Sequence, residues 1–68
     1  MMANFEVFLT NHTSLKVELH YRSLDDLSLD LMGKHRPLIG ALLQPGEDGL
    51  RRKILIHPAK VACVIELD

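Results

Sequence analysis

Apolar and polar residues alternate from the start of the chain. Phe5, Val7 and Leu9 interleave with Glu6, Phe8 and Thr10, and Leu15, Val17, Leu19 and Tyr21 interleave with Lys16, Glu18, His20 and Arg22. A period of two marks strands with one buried and one wet face. Asn11-His12-Thr13-Ser14 between them has turn composition, so the two strands read as a hairpin. The period then changes. Leu24, Leu27 and Leu31 recur at helical spacing, Ser23 is a good N-cap, and Asp25 and Asp26 fall where carboxylates favour the helix dipole. Gly33 supplies a stop. Leu27, Leu29 and Leu31 also alternate with Ser28 and Asp30 as a strand would. The caps decide for a helix over 24–32.

Pro37 introduces the apolar run Leu38-Ile39-Gly40-Ala41-Leu42-Leu43, which fits a strand buried on both faces or lying at an interface. Gln44-Pro45-Gly46-Glu47-Asp48-Gly49 is the strongest punctuation in the chain, and its Pro-Gly pair predicts a type II turn. A strand follows over 51–57, Pro58-Ala59-Lys60 breaks it, and the β-branched run 61–67 is a last strand. The order is β-β-α-β-β-β. Short connections favour antiparallel neighbours, so the expected fold is α+β: a small antiparallel sheet or partly open β-barrel of about five strands with one short helix between strands 2 and 3.

Composition changes this picture in one respect. The 68 residues make room for a single small domain, 1–68, that buries a modest fraction of its surface, yet 47% of them are apolar and thirteen are leucine. Five strands and a helix then carry more aliphatic surface than one thin layer covers. The net charge of −1 adds little self-repulsion. Both features favour burial against a second copy, with a homodimer the first expectation, a protein partner the second, and Leu38, Ile39, Leu42 and Leu43 as the candidate interface.

Candidate chemistry is sparse. The one cysteine, Cys63, excludes an intrachain disulfide and favours a reducing cytoplasm; set in an apolar strand, it reads as a buried thiol. No signal peptide and no membrane-spanning run are expected, and Asn11-His12-Thr13 is read as a chance sequon. His12, His20, His35 and His57 lack the close spacing of zinc ligands, so no metal and no cofactor is expected. Asp25-Asp26 and Glu47-Asp48 suit a helix start and a turn, and the four glycines match no phosphate-binding spacing. No catalytic site is expected.

Two basic clusters remain, Lys34-His35-Arg36 and Arg51-Arg52-Lys53. They support an alternative reading as a nucleic-acid-binding oligomer, against which stand the near-neutral charge and the few aromatics. Thr10-Asn11-His12-Thr13-Ser14, followed by Leu15-Lys16-Val17, resembles the strand bearing Thr, His, Thr and Ser in the trp RNA-binding attenuation protein family. That resemblance implies an all-β ring. It needs a one-residue gap and no other segment matches, so no site residue is carried over. The favoured function is a small interaction or regulatory module that works as a homo-oligomer.

Overall fold

The computed structural model describes residues 2–33 and 36–68. The chain runs β1 (Ala3–Leu9), β2 (Ser14–Leu19), α1 (Leu24–Gly33), β3 (Leu38–Leu42), β4 (Lys53–Ile56), a 3-10 turn (Pro58–Lys60) and β5 (Val61–Glu66). All strands join one antiparallel sheet in the order β4-β3-β2-β1-β5. The fold is α+β, with the helix between strands 2 and 3. An all-β ring is thereby excluded, and residues 10–13 form a hairpin turn.

That turn is built from side chains as much as backbone. Asn11 Oδ1 accepts from the Thr13 amide at 3.2 Å and from Thr13 Oγ1 at 2.6 Å. His12 takes a positive φ of 71°, a conformation L-residues adopt reluctantly. The second turn differs from expectation. Gly46 does not have the positive φ that a type II turn at Pro45-Gly46 requires; the reversal lies one step on, where the Gly49 amide donates to Gly46 O and Gly49 holds φ at 80°. Asp48 locks it by accepting from the Leu50 amide, and with the Arg52 guanidinium this holds the Asp48 carboxyl below the usual range.

Strand register sorts the residues into two faces. Phe5 lies opposite Val17, Val7 opposite Leu15 and Val64, and Leu38 opposite Ile56. Residues paired across an antiparallel ladder share a face, so these point to one side, where α1 covers them. The core is Ala3, Phe5, Val7, Val17, Leu19, Leu27, Leu38 and Ile56. Leu27 is the helix's one buried residue. The run 38–43 is not buried on both faces: Leu38 is enclosed, while Ile39 beside it points away from the helix and is 62% exposed. Among the described residues the sheet carries a helix on one side only.

Helix α1 starts as its sequence demands. Ser23 Oγ accepts from the Asp26 amide at 3.3 Å, which satisfies one free donor of the first turn, and Asp26 Oδ2 reaches back past the N-cap to accept from the Arg22 amide at 3.1 Å. Glu66 on β5 accepts from the Leu24 amide. Strand β2 ends at Leu19, earlier than the alternation through Arg22 predicts, because Tyr21 turns to the helix and donates its hydroxyl to Asp30 Oδ2 at 2.8 Å.

Burial first, then that bond to Asp30, pushes the Tyr21 pKa up to about 12. The folded state therefore prefers the protonated phenol, and this share of stability is complete below pH 10, the ordinary value, and is lost as pH rises to about 12. Tyr21→Phe should cost about 1 kcal/mol at neutral pH and flatten the alkaline fall. With one Tyr and no Trp, phenolate absorbance reports the titration directly; a titration at the ordinary value would refute the assignment.

The link from β4 to β5 constrains the whole sheet. A flat five-stranded sheet holds its outer strands about 19 Å apart. Only His57 and the three-residue turn join Ile56 to Val61, a reach of about 17 Å fully extended and less with a 3-10 turn inside it. The sheet must curl to bring its edges near each other, without closing. His57 Nδ1 accepts from the Ala59 amide at 3.2 Å and holds this turn.

Candidate interaction surface

The side of the sheet away from α1 is open. Its middle is polar: Asn4, Glu6, Ser14, Lys16 and Glu18 lie there, and Glu6 Oε2 accepts from Ser14 Oγ at 3.0 Å. Apolar residues flank this band. Ile39 and Leu55 face each other across β3 and β4, with Leu55 65% exposed. Phe8, Cys63 and Ile65 form the other flank on β1 and β5.

Cys63 is thus exposed, and its reading as a buried thiol is corrected. The cause is a slip of register. Phe8 pairs with Cys63 and Leu9 with Val61, which leaves Ala62 as an extra, bulged residue. Val61 and Val64 turn inward to the core while Cys63 turns out with Phe8.

The predicted site residues are dispersed. Leu38 is part of the chain's own core, Leu42 packs against it, Leu43 is half-buried, and Ile39 alone opens outward. Arg51 is held on two sides, its Nε donating to Leu42 O at 2.9 Å and its Nη2 lying 3.3 Å from Glu18 Oε1. Arg52 pairs with Asp48. Lys53 is exposed on β4 opposite Ala41. Arg36 precedes β3 at the end nearest Ile56, the opposite end from Arg51 and Lys53. Lys34 and His35 lie outside the described residues. Among the described residues no three His, Cys, Asp or Glu converge as a metal site would need, and no helix is long and apolar enough to cross a membrane.

The sheet's two edges differ. β4 is four residues long, carries Lys53, and is preceded by Arg51 and Arg52 and followed closely by Pro58, all features that discourage pairing. β5 is six residues long and reads Val-Ala-Cys-Val-Ile-Glu, with its charge confined to the last position. A groove of about 450 Å³ runs beside it, lined by Leu24, Leu31 and Met32 of α1 and by Val61, Ala62 and Val64. Met32 is 82% exposed.

No protein-family model matches the chain, and no curated protein or solved structure proves similar to it.

Proposed function

We propose that the chain is a small interaction or regulatory module that acts as a homo-oligomer, a dimer in its simplest form. The observation carrying this reading is the amount of apolar surface left uncovered. Leu29, Met32, Ile39 and Leu55 all stand out from the molecule, on both the helix and the open side of the sheet. The accessible surface is 4885 Å², whereas size scaling gives about 4,300 Å² for a compact monomer of this mass. A chain with more surface than its mass warrants, much of it aliphatic, is stabilised by a second copy. The same reading places it in the cytoplasm, where the exposed Cys63 stays a thiol.

Sedimentation equilibrium at micromolar concentration tests this. The expected result is a self-associating species; a monomer throughout would refute it. The nucleic-acid reading draws less support, because Arg51 and Arg52 are already engaged by carboxylates. Tight, steeply salt-dependent binding of an oligonucleotide would favour it instead.

A further inference from the structure

Resting on that reading, we infer that the second copy docks edge to edge, its β5 adding antiparallel to this β5 with Val64 opposite Val64. Main-chain polarity is the first ground. The Leu67 amide donates to Asn4 O, and bonded pairs alternate along an antiparallel ladder. Leu67, Ile65 and Cys63 therefore direct their main-chain groups at β1, while Val64 and Glu66 direct theirs at the open edge. Among the described residues, neither the N–H nor the C=O of Val64 has a backbone or side-chain partner outside the sheet ladder. Across a two-fold axis at Val64 the two copies exchange both bonds.

Charge complementarity is the second ground and selects a second copy over an unrelated strand. Lys60 precedes β5, while Glu66 and Asp68 end it, their exposed carboxylates accepting from Leu24 and Asn4 but paired with no cation among the described residues. Antiparallel pairing of β5 with itself sets each cationic start beside the other copy's anionic end. Lys60 has no ion pair among the described residues. The groove beside β5 is the third ground. The two-fold axis stands across the sheet, so both helices lie on one side of the seam. Leu24, Leu31 and Met32 then cover the added strand, and the exposed Met32 side chain is buried.

The register can be read chemically. With Val64 facing Val64, Cys63 faces position 65 of the second copy as a non-hydrogen-bonded pair, whose Cα atoms stand about 4.5 Å apart. That separation suits a disulfide. Within one chain, positions 63 and 65 lie two strand residues apart, about 6.8 Å, at the limit of that range.

Mild oxidation of Ile65→Cys should therefore give a covalent dimer in high yield, and wild type, with Cys63 alone, should give little. Val64→Pro removes an edge-facing N–H and alters a side chain packed against the core, but takes no donor from the ladder to β1. Sedimentation equilibrium should show its dimer dissociation constant raised about tenfold or more. Circular dichroism should show the fold retained, and Leu55→Asp on the opposite flank should leave the dimer intact. If Val64→Pro unfolds, the Ile65→Cys cross-link decides alone. A dimer that survives Val64→Pro, or fails to cross-link, or dissociates on Leu55→Asp, overturns the β5 seam while self-association stands. A monomer at every concentration overturns both.

Discussion

Gly40→Ala is expected to unfold the protein. Gly40 sits on β3 directly opposite Leu19, on the face the helix covers. A Cβ built there would lie 2.1 Å from Glu18 O and 2.6 Å from Leu19 Cδ2. The first neighbour is a ladder carbonyl that cannot move without breaking the β2–β3 pairing. The second belongs to a side chain with no exposed surface, so it has nowhere to turn. Overpacking of this kind costs roughly 3 kcal/mol or more, against a total stability of about 3–10 kcal/mol for a domain this small. Urea unfolding followed by circular dichroism measures it. Gly33→Ala is the control: nothing lies within 4 Å of the added atom, and a helix gains from Ala over Gly. Equal midpoints for the two variants would refute the packing argument.

The sequence makes Gly40 look like a loose spot in an apolar run, because the atoms it must avoid, on Glu18 and Leu19, lie twenty-two and twenty-one residues away. Local features fared better. Lys16 and Glu18 alternate with Val17 and Leu19 because one side of the sheet meets water, and any such strand shows its period. Helix α1 was legible through Ser23 and Asp26, whose capping bonds span three and four residues. The strand order was not legible. No segment announces that β5 returns to β1 beside the first hairpin; a link as short as 57–60 would sooner suggest β4 as its neighbour. Strand β5 also misled, because a β-branched apolar run reads as buried while an edge strand exposes much of its surface. The bulge at Ala62, which turns Cys63 outward, leaves no mark in the residue pattern. The cationic clusters divide in the same way. The pairing of Arg52 with Asp48 lies within reach of the sequence, four residues apart, but that of Arg51 with Glu18 needs β3 to stand between β2 and β4.

Leu27→Ala should be the most damaging truncation in the helix, lowering stability by about 2–5 kcal/mol. The helix has ten residues, too few to persist alone in water. Its place on the sheet rests on capping bonds at its start, on Tyr21–Asp30, and on one fully buried side chain, that of Leu27. Leu29 is 71% exposed, so Leu29→Ala removes a similar volume from the same helix at a cost within about 0.5 kcal/mol. Chemical denaturation of the two variants separates burial from helix propensity, since Ala is the better helix former at both positions. If burial governs, Leu27→Ala alone loses stability, and hydrogen exchange quickens first in α1. The covered side of the sheet, with Phe5, Val7 and Val17, is then open to water, and aggregation is expected before the strands separate. If the variants behave alike, the helix does not hold the core closed. An uncovered sheet this short has too little apolar contact to persist, so the helix that Leu27 anchors is what lets five short strands act as one folded unit.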